Sequence, residues 1–148
     1  MSDVLPAGQV LGNWPAYSLD LPPNALAPRA ARALAVSALT QWNALVLAED
    51  VELVVSELVT NSLGIAAEIG FTIAFAAETC EVEVAVWDDG AGTPTLTIPA
   101  SDSVSGRGLQ LVDAVAVAWG CSEGLGGIGK TIWARLAPKP TTAAAFSV

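Results

Sequence analysis

The alternating segment EVEVAVW at residues 81–87 is the feature that most limits the possible folds. Its three valines, Val82, Val84 and Val86, alternate with other residue types, and a period of two places them on one face of a β-strand. The apolar run at residues 71–77 lies a few residues before this segment. The two segments together predict a β-hairpin with the three valines on its core face.

Two helices are predicted before this hairpin. The first, at residues 28–47, is rich in Ala, Leu and Arg. We expect it to begin near Pro28, because proline is favoured in the first turn of a helix. The second, at residues 49–68, repeats apolar residues at helical spacing, and we expect Gly70 to stop it. The residues of its predicted buried stripe are Val51, Val54, Val55, Leu58, Ser62, Ile65 and Ala66.

The flanking segments are assigned by composition. A strand is predicted within residues 10–21, and the proline pair after it suits only an edge or a turn. Residues 93–105 are rich in Pro, Thr and Ser and predict a loop. Residues 106–116 carry apolar residues at helical spacing behind a glycine-rich start, which predicts a third helix. Residues 117–124 and 130–137 flank a glycine-rich turn and predict a second hairpin.

This order of elements predicts an α+β fold. Strands come in antiparallel pairs, and the helices are long enough to cover one face of a sheet. We therefore expect a two-layer α/β sandwich whose mixed, mostly antiparallel sheet is covered on one face by helices. Residues 1–148 form one domain in this interpretation, with a core at about residues 21–136 and a flexible tail at residues 137–148.

Composition excludes several classes of function. The chain has 148 residues, of which 53% are hydrophobic and 14% charged, so it can bury a core. It has no histidine, and Cys80 and Cys121 form no CxxC pair, which argues against a zinc site and a His-based triad. A net charge of −9 argues against direct nucleic-acid binding. An anionic ligand would therefore need a divalent cation and backbone amides.

Neither a membrane span nor a secretory signal is visible. No apolar run approaches the ~18 residues that a spanning helix needs. The first ten residues lack a basic segment followed by an apolar one. We therefore expect a cytoplasmic protein without membrane contacts.

Glu57 and Asn61, in the string SELVTNS, form the first candidate site. A spacing of four places both side chains on one face of the second helix. A carboxylate can orient or deprotonate an attacking hydroxyl, and an amide oxygen can ligate Mg²⁺. The alternative is a solvated glutamate beside a surface asparagine.

Asp88, Gly90 and Gly92, in the string VWDDGAG, form the second candidate site. Alternation places Asp88 on the core face at the end of its strand, where an unpaired carboxylate is costly. A ligand that donates a hydrogen bond, such as an adenine amino group, would satisfy it. Asp89 should point the other way. The alternative is an ordinary DDG turn.

Two glycine-containing strings follow. Gly106-Arg107-Gly108-Leu109 opens the third helix, where free N–H groups attract phosphate oxygens, although many such strings are merely flexible loop ends. Gly129-Lys130-Thr131 enters the last strand, where the Thr131 hydroxyl could hold a base or a water molecule. The alternative for the second string is the start of a hairpin strand, and the spacing does not fit a Walker A loop.

Together and in this order, the four strings resemble the N, G1, G2 and final-strand motifs of the GHKL ATPase superfamily, which includes gyrase and histidine-kinase catalytic domains. The resemblance is greatest to the free-standing anti-sigma-factor serine kinases (SpoIIAB/RsbW type), through the strings ELVTN and GRGLQLV. It covers about residues 21–136 and implies the histidine-kinase-like ATPase, or Bergerat, fold.

The resemblance implies ATP and Mg²⁺ as cofactors. It makes Glu57 the general base, Asn61 the Mg²⁺ ligand and Asp88 the acceptor for the adenine amino group. The other residues that it assigns to nucleotide binding are Gly90 and Gly92 beside the base, Gly106, Arg107, Gly108 and Leu109 in the phosphate-side segment, and Thr131 behind the adenine.

The resemblance further implies a serine/threonine protein kinase that phosphorylates an antagonist protein, an anti-anti-sigma factor, and sequesters a sigma factor. It also implies a homodimer. One alternative is a non-catalytic regulator that binds its partner with the same fold and has weak or no nucleotide binding. A less favoured alternative is a detached catalytic domain that serves a histidine kinase, with the phosphoacceptor on another chain.

Overall fold

The computed structural model describes residues 14–90, 104–124 and 127–139. The elements in chain order are β1 (Ala16–Leu21), α1 (Ala27–Gln41), a 3₁₀ helix (Leu45–Leu47), α2 (Ala48–Ser62), β2 (Ile69–Ala76), β3 (Glu81–Asp88), α3 (Val104–Val115), β4 (Ala118–Glu123) and β5 (Lys130–Leu136). This order confirms the predicted sequence of strands and helices. Gly92, most of the predicted loop at 93–105, the start of segment 10–21 and the tail beyond residue 139 lie outside the described residues.

The five described strands form one sheet in the order β1-β2-β3-β5-β4. All four pairings between neighbours are antiparallel, so the described sheet is not mixed as expected. Both predicted hairpins are confirmed, and β1 lies at an edge. No described helix is long and apolar enough to cross a membrane.

The core lies between the helices and one face of this sheet. Val82, Val84 and Val86 of β3 are buried in it, which confirms the prediction from alternation. The helices contribute small and branched residues, of which Ala31 and Ala35 come from α1 and are fully buried. Because alanine side chains are small, α1 can pack closely against its neighbours. The fold is therefore the predicted two-layer α+β sandwich.

The first helix ends six residues earlier than predicted, at Gln41. Asn43 adopts a left-handed conformation with a φ of 57°. The N–H of Asn43 donates to the carbonyl of Thr40, and the N–H of Ala44 donates to the carbonyl of Leu39. These two bonds form a Schellman motif, which satisfies the last carbonyls of the helix and turns the chain away. The sequence reading overlooked asparagine as the terminating residue.

Aromatic rings fix this helix end to the sheet. The ring of Trp42, just after α1, stacks on Phe75 of β2 at a centroid distance of 5.2 Å. Tyr17 of the edge strand lies 5.5 Å from the same indole. Ring pairs at these distances contribute beyond their buried area.

The second helix ends at Ser62 and not near Glu68 as predicted. Gly64 follows with a φ of 90°. The carboxylate of Asp89 accepts hydrogen bonds from the N–H of Ala67 at 2.9 Å and from that of Glu68 at 3.0 Å. These bonds, that of Glu68 first, hold the pKa of Asp89 below its ordinary value of 3.8. The segment after the helix is thus tied to the end of β3, and Ile65, predicted to be buried, is 56% exposed.

The opposite face of the sheet carries an ion pair between a buried glutamate and a half-buried arginine. Oε1 of Glu83 accepts from Nη2 of Arg135 at 3.0 Å, and Glu83 is 2% exposed. The guanidinium carbon lies 5.6 Å from the ring centroid of Trp14 and 5.9 Å from that of Trp133. The other carboxylate oxygen of Glu83 has no hydrogen-bond partner among the described residues. Burial accordingly raises the pKa of Glu83 above its ordinary value of 4.5, although Arg135 acts in the opposite direction.

Glu83→Gln should therefore change how stability depends on pH. Burial raises the pKa of Glu83 in the native state, so the native state holds the Glu83 proton more tightly than the unfolded state does. Wild type should therefore lose stability relative to the variant as the pH rises from 4.5 through the native-state pKa of Glu83. The loss is at most about 1.4 kcal/mol per pH unit and levels off above that window. Urea unfolding across this pH range measures it. Glu78→Gln, at an exposed turn, is the control, and parallel curves for wild type and Glu83→Gln would contradict the assignment.

Candidate functional site

Asp88 lies at the centre of the candidate site, at the end of β3, and is 1% exposed. Its Oδ2 accepts a hydrogen bond from Oγ of Ser62, the last residue of α2, at 2.5 Å. Its Oδ1 accepts from the N–H of Gly90 at 2.9 Å and from Nζ of Lys130 at 2.7 Å. The buried carboxylate predicted from alternation is confirmed, but it is paired within the protein.

The pairing with Lys130 follows from the strand register. Lys130 is opposite Asp88 in the β3–β5 ladder, and opposite residues share a face of the sheet. The Lys130 side chain is 7% exposed, so both charges of the pair are buried. Thr131 is opposite Trp87, one position further, and therefore lies on the other face. The structure thus brings Lys130 to Asp88 and does not bring Thr131 there.

Thr131 nevertheless has an unusual environment. It is fully buried, and its hydroxyl oxygen has no hydrogen-bond partner among the described residues. Its role behind an adenine stays a prediction, and the structure places Thr131 and Asp88 on different faces of the sheet. The register separates the two, because neighbouring residues of a strand point to opposite faces.

Glu57 and Asn61 lie one turn apart on α2, and both are half-buried. The helix α3 approaches this face through Gly108, where an added Cβ would lie 2.5 Å from Oε1 of Glu57. Any larger residue would push the carboxylate aside. Ser62, which follows Asn61 in the chain, links the same helix end to Asp88. The first, second and third predicted strings therefore meet around the end of α2.

Two further predicted residues shape the surroundings. Gly90 is buried, and an added Cβ there would lie 3.1 Å from both Oδ1 of Asp88 and the carbonyl oxygen of Ile65. Gly106 lies in the first turn of α3, which begins at Val104, and that turn also includes Arg107. Such a turn has backbone N–H groups without helical partners. Leu109, in the next turn, is half-buried.

The side chains around the site offer few metal ligands, so a metal ion here would depend on a nucleotide that supplies oxygen ligands of its own. Among the described residues no group of three His, Cys, Asp or Glu side chains could hold a metal ion. A divalent ion here would need phosphate oxygens in addition to the Asn61 amide. Residues 48–68 contain no Lys or Arg, and their acidic residues are Glu49, Asp50, Glu52, Glu57 and Glu68. A triphosphate beside this helix therefore requires a cation.

Asp88 keeps one acceptor position unused within the described residues. A carboxylate has about four lone-pair positions, and Ser62, Gly90 and Lys130 occupy three. The free position is on Oδ2, which accepts only from Ser62 within the described residues. An adenine amino group fits that position as a donor.

Sequence reasoning missed Lys130 and Ser62 as partners of Asp88. A signal for Lys130 was present, since the pairing of β3 with β5 fixes which residue lies opposite the aspartate. Ser62 was assigned to the apolar stripe of the helix, and it is indeed 1% exposed. Its hydroxyl turns that buried position into a hydrogen-bond donor.

Comparison with known families identifies the domain. The family model of the histidine kinase-like ATPase domain matches residues 22–135, which span all the described elements except β1 and the last residue of β5. Domains of this superfamily bind ATP, typically together with Mg²⁺. A search of curated proteins found no match.

The Asp88–Lys130 pair should show strong energetic coupling. Lys130→Met leaves a buried carboxylate without its counter-ion and should cost about 3–5 kcal/mol of stability. The double variant Asp88→Asn/Lys130→Met should lose clearly less than the sum of the single losses, because neither charge is then unpaired. Urea unfolding of wild type, Asp88→Asn, Lys130→Met and the double variant measures the coupling.

The exposed pair Lys139–Asp50 is the matched control for that cycle. Its atoms are 3.6 Å apart, and its lysine side chain is 69% exposed. Lys139→Met should cost less than about 1 kcal/mol. Additive losses at Asp88 and Lys130 would contradict the buried ion pair.

Proposed function

Since the chain belongs to the histidine kinase-like ATPase domain family, we propose that this ATP-binding regulatory protein is an anti-sigma-factor-like serine/threonine kinase. In this proposal it phosphorylates an antagonist protein and sequesters a sigma factor. The observation that supports it is the convergence of three motif strings at the end of α2, where Ser62 binds Asp88 and Gly108 abuts Glu57. In this proposal the convergence would place a base site, a metal ligand and a general base on adjoining elements.

The nucleotide would lie between the end of β3 and the start of α3. Asp88 would accept a hydrogen bond from the adenine amino group at the free position of Oδ2. Gly90 leaves space beside that carboxylate, since a Cβ there would approach Oδ1 to 3.1 Å. Asn61 would ligate Mg²⁺, and the first-turn N–H groups of α3 would donate to the phosphates.

Glu57 is the proposed general base. Its carboxylate lies against the Cα of Gly108, close to the first turn of α3 and one helical turn from Asn61. Glu57 would take the proton of a serine or threonine hydroxyl of the antagonist while that oxygen bonds to the γ-phosphorus and ADP leaves. Mg²⁺ would supply the charge that offsets the acidic helix.

The alternative is a non-catalytic regulator that holds its partner with the same fold. One observation favours it: residues 48–68 carry five acidic residues and no basic one, so the phosphate end of the site has few cations of its own. Such a protein would capture its partner equally well with or without Glu57. No phosphoprotein would form with any antagonist.

Asn61→Ala should reduce the effect of Mg²⁺ on ATP affinity. We expect Mg²⁺ to strengthen ATP binding to wild type by roughly ten-fold or more, because the ion offsets repulsion between the triphosphate and the acidic helix. Most of that gain should disappear in the variant. Calorimetric titrations with ATP, with and without Mg²⁺, measure it. Thr60→Ala, an exposed neighbour on α2, is the control, and an unchanged Mg²⁺ effect in Asn61→Ala would refute the ligand assignment.

Glu57→Gln should abolish phosphoryl transfer without abolishing nucleotide binding. Loss of a general base lowers a rate by roughly 10²–10⁴-fold, whereas ATP affinity should change by less than about three-fold. The assay uses γ-labelled ATP and a panel of small antagonist proteins, with Glu49→Gln on the exposed start of α2 as the control. Transfer at the wild-type rate in Glu57→Gln would exclude the base role. Absence of transfer by wild type, with intact partner capture, would favour the non-catalytic alternative.

A further inference from the structure

The proposed function assigns no role to the buried ammonium of Lys130. Its side chain is 7% exposed, and its partner Asp88 is 1% exposed. A buried ion pair contributes little net stability, because the desolvation of both charges offsets their attraction. Apolar residues of similar volume would serve packing equally well. The pair therefore calls for an explanation outside packing.

The hydrogen-bonding capacity of the pair is only partly used. An ammonium group has three N–H donors, and the structure describes a partner for one of them, Oδ1 of Asp88 at 2.7 Å. The carboxylate keeps one acceptor position on Oδ2. The pair thus presents a donor and an acceptor side by side, at the place where the proposed function puts the adenine.

We propose that Lys130 and Asp88 together read the Watson–Crick edge of adenine. Asp88 accepts from the exocyclic amino group, and Lys130 donates to N1, the adjoining ring acceptor. Adenine carries this donor and acceptor on neighbouring ring positions, whereas guanine carries an acceptor and a donor there in reversed order. This inference rests on the proposed nucleotide site and makes Lys130 a residue that determines base specificity.

The opposite role for Lys130 makes an opposite prediction. If the ammonium only occupied the position that the base needs, its removal would free Asp88 and tighten ATP binding. If Lys130 contacts N1, its removal weakens ATP binding. The two roles are distinguished by the sign of one change in affinity.

The test is calorimetric titration of the wild-type protein, with Mg²⁺, against ATP, 1-deaza-ATP and 7-deaza-ATP. The 1-deaza analogue replaces N1 by C–H and keeps the amino group, so it should bind roughly ten- to a hundred-fold more weakly than ATP, the range for a lost hydrogen bond to a charged donor. The 7-deaza analogue loses an acceptor that is not on this edge and should bind within about two-fold of ATP. It is the matched control for ring modification.

Two variants assign the effect to Lys130. In Lys130→Met, ATP should bind as weakly as 1-deaza-ATP binds to wild type, and the analogue should lose little further affinity. Lys130→Gln keeps an N–H donor and should retain part of the discrimination. Circular dichroism shows whether each variant is folded, and the wild-type titrations decide the question even where a variant is not.

The outcomes separate this inference from the function beneath it. Equal affinities of wild type for ATP and 1-deaza-ATP, or tighter ATP binding to Lys130→Met, would overturn the reading of N1 and leave the ATP site intact. Failure of folded wild type to bind any of the three nucleotides would overturn the proposed nucleotide site as well.

Discussion

The buried carboxylate of Asp88 is the interaction on which the site depends. It joins the last residue of α2, the turn after β3 and the first residue of β5 through Ser62, Gly90 and Lys130. A missing partner is costly for a buried charge, since the protein interior cannot replace the lost solvation. The helix layer and the sheet are therefore held in register at this point by hydrogen bonds as well as by packing. The floor of the site is an electrostatic junction between elements that are far apart in the chain.

The same strand carries a second buried carboxylate with fewer hydrogen-bond donors around it. Glu83 lies on the opposite face of β3, where Arg135 supplies hydrogen bonds to one oxygen and the described residues supply none to the other. On the helix-covered face, Ser62 of α2 donates to the second oxygen of Asp88, whereas the second oxygen of Glu83 has no such donor among the described residues. Burial then raises the pKa of Glu83. The neighbouring elements decide how many donors reach a buried carboxylate.

The sequence predicted those features that depend on local periodicity. Alternation in β3 identified the hairpin and the inward position of Asp88, and helical spacing identified α2. The helix ends were misplaced because they depend on single contacts, namely the left-handed Asn43 and the carboxylate of Asp89. The pairing of Lys130 with Asp88 was overlooked, because the sequence alone does not say which of two adjacent strand residues faces the aspartate. The residue-by-residue register of β3 with β5 decides it. Long-range pairing, and not composition, decides which of two neighbours reaches a site.

Charge divides the site into two ends of different character. At the base end, Lys130 supplies a cation within the fold, paired to Asp88 at 2.7 Å. At the proposed phosphate end, α2 and the segment after it contribute acidic residues and no basic ones, so most of the positive charge would come from an ion and from backbone N–H groups at the start of α3. In the proposed function, recognition of the base and stabilisation of transferred phosphate would therefore depend on separate groups. In the proposed function, such a chain would retain nucleotide recognition while Mg²⁺ and the approach of a partner would set the rate of phosphoryl transfer.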